Sequence, residues 1–125
     1  MSFQAQALDN IYTRIRGVQS SSEVRDVADC VKQVGTANAI ACVGVKSSSV
    51  VRAVSDCVRR TNSAEACIGV TSSNQARYIE DCVEKVGPYA ASACSGVTSS
   101  SEARSRADCI TKVGDAAAMA CGERF

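Results

Sequence analysis

Eight cysteines are the residues of this chain best equipped for chemistry, and a cysteine offers three kinds: thiolate nucleophile, soft-metal ligand or disulfide partner. Their spacing sorts these. They fall into four pairs, Cys30/Cys42, Cys57/Cys67, Cys82/Cys94 and Cys109/Cys121, with nine residues inside the second pair and eleven inside each of the others. A cysteine nucleophile needs a histidine or another positive charge to hold the thiolate, and the chain contains no histidine. Each first cysteine instead follows an aspartate, which raises a thiol pKa and opposes reactivity. No catalysis is expected. Zinc sites place paired cysteines about two to four residues apart, so no metal site and no cofactor is expected either. A cuprous store of facing thiolates is the one remaining metal chemistry, and disulfide bonding would remove it.

Paired, regularly spaced cysteines in a small chain point to disulfides and an oxidising compartment, hence to a secreted, extracellular protein. Met1 to Asn10 shows no basic region followed by an apolar core, so secretion implies a leader already removed. Net charge near +1 makes nucleic acid an unexpected partner, and no stretch reaches the roughly 18 apolar residues of a membrane span.

The pairs sit in a fourfold internal repeat of about 26 residues, opening at Gly17-Val18, Gly44-Val45, Gly69-Val70 and Gly96-Val97. One domain is expected: residues 1–16 as an N-terminal capping helix, then units 17–43, 44–68, 69–95 and 96–125. Each unit reads as a helical hairpin. Ser20, Ser47, Ser72 and Ser99 cap the first helix, and Glu23, Gln75 and Glu102 three residues later complete capping boxes. Apolar residues recur at helical spacing, as in Val24, Val27, Ala28, Val31 and Val34. Gly35, Asn62, Gly87 and Gly114 supply a left-handed stop. An alanine-rich second helix follows over 36–43, 63–68, 88–94 and 115–121, with Thr36, Ser63 and Asp115 as caps and Pro88 at a first helical position. Phe3, Ala7, Leu8, Ile11, Tyr12 and Ile15 form the stripe of the capping helix, with Ile15 where the other units carry a cysteine. Arg106 replaces the valine or isoleucine of the buried stripe, as a polar end unit would require.

The fold class expected is all-α: a right-handed-type α-solenoid of nine helices, four disulfide-stapled hairpins plus the N-terminal cap. Its layout is similar to that of tetratricopeptide-type solenoids, but the period is shorter and their aromatic signature is missing. No residue role carries over. Pairing within units uses all eight cysteines, whereas pairing between neighbours strands Cys30 and Cys121. Each bridge closes a short loop worth about 2–3 kcal/mol.

Two surface patterns remain. Arg25, Arg52, Arg77 and Arg104 precede Asp29, Asp56, Asp81 and Asp108 by four residues, a spacing that meets on a helix surface. They form either solvated ion pairs or a charged ladder that recognises a partner. Ser20, Ser21, Ser47, Ser48, Thr71, Ser72, Thr98 and Ser99 are helix caps or, stacked in register, a hydroxyl array. The expected function is a non-enzymatic binding or structural scaffold for an extended or repetitive partner, whether protein, polymer or ordered surface. The alternatives are an ice- or polymer-lattice binder and a carrier of a small apolar ligand. Oligomeric state is not legible.

Overall fold

A computed structural model describes residues 20–122. The expected capping helix and the opening of the first unit lie outside these described residues. Four α-helices, α1 (Ser21–Val34), α2 (Ser48–Thr61), α3 (Ser73–Val86) and α4 (Ser100–Val113), alternate with four 3₁₀ segments, η1 (Thr36–Cys42), η2 (Glu65–Cys67), η3 (Pro88–Cys94) and η4 (Asp115–Cys121). Among the described residues there is no strand.

The sequence sets both ends of each α-helix. Ser20, Ser47, Ser72 and Ser99 accept from the amide three residues on at 3.1–3.2 Å, so each helix starts on a hydroxyl cap. The reciprocal half of the capping box is displaced by one residue. Gln75 Oε1 accepts from the Thr71 amide and Glu102 Oε1 from the Thr98 amide, rather than from the amides of the capping serines. The threonine hydroxyls join the same carboxylate or amide oxygen, which explains why the chain reaches past the cap.

At the other end, Gly35, Gly87 and Gly114 take φ near 90° with ψ between 153° and 172°. This is extended backbone of the mirror-image hand, open essentially to glycine alone, and not the left-handed helical stop expected. Only Asn62, at φ 54° and ψ 32°, makes that stop. The difference follows the two residues missing from the second unit. There the Thr61 hydroxyl donates to the Cys57 carbonyl at 2.8 Å and accepts from the Ser63 amide, folding the shortened turn back on itself.

The alanine-rich segments are correspondingly tighter than expected. All four wind as 3₁₀ turns, because so short a run cannot complete a ladder of α-helical bonds. Thr36 and Asp115 do not cap them; only the Ser63 hydroxyl accepts from an amide, that of Ala66. The glycine turn delivers the chain directly into η1, η3 and η4, leaving no separate capping position for a side chain.

Each long helix packs on the next, α1 on α2, α2 on α3 and α3 on α4, and the 3₁₀ segments follow the same order. Val45, Val70 and Val97, the valines of the Gly-Val pairs, are buried together with Val51, Val54, Ile79 and Ile110. Two expectations are corrected. In α1 only Cys30 is buried, and Val24 and Ala28 lie exposed, because nothing among the described residues packs on that side. Arg106 is not a polar end: it is buried, and its guanidinium donates to the Ala93 and Ser95 carbonyls at 2.8 Å each. It closes the open carbonyls at the end of η3, work that no aliphatic side chain does.

A Cβ built on Gly87 meets nothing within 4 Å, so a substitution there tests backbone conformation alone. Gly87→Ala is expected to cost on the order of 1–3 kcal/mol. Asn62→Gly, at a true left-handed position, is expected to change stability by less than about 1 kcal/mol. Urea unfolding with the disulfides intact measures both.

Candidate functional site

Cys30, Cys57, Cys82 and Cys109 each lie four residues before the end of their α-helix, and Cys42, Cys67, Cys94 and Cys121 each end a 3₁₀ segment. A glycine or asparagine turn between them reverses the chain and brings each pair of Cα atoms to 5.8–5.9 Å. The bridges join Cys30 to Cys42, Cys57 to Cys67, Cys82 to Cys94 and Cys109 to Cys121, within units throughout. With all eight cysteines oxidised, none is left as a thiolate to attack an electrophile or to hold cuprous ion. Among the described residues no three His, Cys, Asp or Glu side chains converge as a metal site would need. No helix among them is long and apolar enough to cross a membrane.

The sulfur chemistry is graded along the chain. The first three bridges are buried almost completely, whereas Cys109 and Cys121 are both partly exposed.

The Arg–Asp spacing does not produce the expected pairs. None of the four arginines forms an ion pair with the aspartate four residues on. Asp56 turns instead to Arg59 and Arg60, Asp108 to Lys112 at 3.2 Å, and Arg77 donates to the side-chain oxygen of Asn74. Asp56 and Asp108 thus each find a cation toward the C-terminal end of their helix, the favoured orientation for such pairs. Arg25, Arg52, Arg77 and Arg104 all remain exposed, one per unit.

Sequence reading missed the contact that does cross between helices. Arg60 Nη1 reaches Glu80 at 2.9 Å while its Nε holds Asp56 at 2.8 Å, tying α2 to α3. These bonds raise the pKa of Arg60 and keep it charged. Its partner lies twenty residues away, and only the repeat alignment, which sets Glu80 one unit on from Ser55, could have hinted at it.

The hydroxyls are largely committed. Besides capping, Ser20, Ser47 and Ser99 each share a hydrogen bond with the serine two residues on, at 3.1–3.2 Å. Thr71 and Thr98 donate to Gln75 and Glu102. Ser21 and Ser48 stand exposed at the first turn. Groups bound to their own helix are poorly placed to match a lattice. An apolar groove of about 270 Å³ runs beside Val43, Val45, Val50, Val54 and Val70. That is smaller than the roughly 300–1,000 Å³ of pockets that enclose drug-sized ligands.

Comparison with known protein families, curated proteins and solved structures finds no match to this chain.

Two outcomes follow from the site. Limited reduction is expected to open Cys109–Cys121 before the other three bridges, because a reductant thiolate must reach the sulfur. Alkylation and peptide mapping read the order. The Thr98 amide and hydroxyl, with Arg106 beside them, hold the Glu102 carboxyl below its ordinary pKa. A carboxyl with a depressed folded pKa contributes stability above its unfolded pKa, near roughly 4.3, and loses it as pH falls through the lower folded value. Glu102→Gln should therefore flatten the acid limb of a stability-versus-pH curve below about pH 4 and leave its neutral region little changed in slope.

Proposed function

We propose that the chain is a secreted, non-enzymatic scaffold in which four stapled hairpins stack as an α-solenoid and present one repeated face to an extended or repetitive partner. The observation that carries this reading is the order of packing. Every substantial contact between elements joins members of one unit or of adjacent units. Chain length supports parallel stacking of the long helices. Ten residues of helix separate Ser20 from Cys30, about 15 Å, and the five residues from Cys42 to Ser47 can return roughly that distance when extended. Ser47, Ser72 and Ser99 are themselves extended as they enter the next helix.

Four disulfides fit an oxidising, extracellular setting. The lack of histidine and of any free thiol supports a role without catalysis. One exposed arginine per unit, without an ion-pair partner among the described residues, gives the stack a repeated cationic contact. A linear polycarboxylate, not a nucleic acid, is the matching chemistry, since each added unit engaged multiplies affinity without new kinds of contact.

Titration with polyglutamate chains of graded length tests this. Affinity is expected to rise with length until four units are spanned, and Arg52→Ala together with Arg77→Ala is expected to remove most of the gain. Affinity independent of length, or no binding at low salt, would overturn the assignment of the face.

A further inference from the structure

The two ends of the described structure are unlike its interior, and they differ from it in complementary ways. Alignment of the units makes this visible. Val24 aligns with Val51, Ala76 and Ala103; those three are at most 3% exposed, yet Val24 is 55% exposed. Val27 and Val31 lose burial relative to Val54 and Ile79 and to Val58, Val83 and Ile110 in the same way. These are the positions through which a unit packs on the one before it.

The last unit shows the opposite pattern. Ala120 aligns with Ala41, Ala66 and Ala93, all at most 1% exposed, but is itself exposed. Ala117 is exposed where Ala90 is buried, and Val113 is 46% exposed where Thr61 is buried and Val86 partly so. The partial exposure of Cys109 and Cys121 belongs to the same set, since their counterparts are closed over. These are the positions through which a unit receives the one after it. Arg106 does not interrupt this face, because its guanidinium points back to the η3 carbonyls of the preceding unit.

We infer that this chain associates head to tail with a second copy, the α1 face around Val24 and Ala28 docking on the last unit around Val113, Ala117 and Ala120. The inference rests on the stacked reading of the fold. Its physical ground is continuity: adjacent units pack through the same pairs of elements three times inside one chain, with mostly small and aliphatic residues at the shared positions. Among the described residues, each half of that junction is left unfilled at one end. A contact between two different patches does not close on itself, so it extends rather than stopping at a dimer. Burying matched apolar ends supplies the driving force.

Sedimentation equilibrium of the full chain with Val113→Glu and Val24→Glu tests the inference. Both positions are exposed in the single chain, so both variants should keep its helical circular dichroism. Wild-type average mass is expected to rise with concentration past two copies. Each variant alone is expected to stay at one copy, because one of its ends is blocked. Their equimolar mixture is expected to form a dimer and nothing larger, since one intact head then meets one intact tail. Ala28→Glu and Ala117→Glu repeat the design should either first variant fail to fold. A wild type that remains a single copy to about millimolar concentration would overturn the inference, as it would if residues 1–19 occupied the α1 face of their own chain. Association that survives either variant, or a mixture that gives no dimer, would equally sink the head-to-tail assignment. Small-angle scattering from the single-copy Val113→Glu variant reads separately whether one chain is an elongated stack, so a failure of the fold reading is told apart from a failure to associate.

Discussion

The constraint on which the rest depends is the covalent clamp between an α-helix and the 3₁₀ segment that follows it. The 3₁₀ segments have three to seven residues, poor hydrogen-bond geometry and side chains rich in alanine. Neither propensity nor buried area would hold such pieces in place alone. A bridge to the last turn of the long helix fixes both the height and the direction of each segment. The glycine turn before it is then free to adopt a backbone conformation that no other residue tolerates well, because the two arms it joins are tied beyond it. With position set by sulfur, the interior is filled by valine, isoleucine and alanine, and the units approach closely.

What the sequence made legible was whatever repeated. Cysteine pairing, the serine caps and the long-helix boundaries came from four copies obeying one pattern, where a single copy would have been ambiguous. What it concealed was whatever depended on a neighbour in space. Arg106 looked like a loss of core character at the end of a stripe, and only the carbonyls of Ala93 and Ser95 reveal it as a buried donor. The Arg–Asp spacing looked like a ladder, but each aspartate has competing cations three or four residues further on, and Asp56 and Asp108 take them. The second segment of each unit looked like an α-helix because alanine favours one. Its length decided otherwise.

The missing pair of residues in the second unit shows how the fold absorbs variation. Deleting them shortens the 3₁₀ segment and changes the turn from a glycine conformation to one that asparagine adopts readily. The buried Thr61 hydroxyl, bonded to the backbone on both sides of the turn, takes over where length was lost. The bridge is nonetheless made at the same Cα separation as its longer neighbours. Variation is admitted at the turn and refused at the clamp.

A sequence separation of only 10–12 residues between bonded cysteines also bears on how the chain acquires its native links. The nearest cysteines of neighbouring modules, such as Cys42 and Cys57, stand 15 residues apart, so ring closure in an unfolded coil favours the native partner by less than about twofold. The rest of the selection falls to the hairpin turn, which brings each native pair of Cα atoms to 5.8–5.9 Å. Correct linkage therefore depends on local folding of each hairpin more than on contour length.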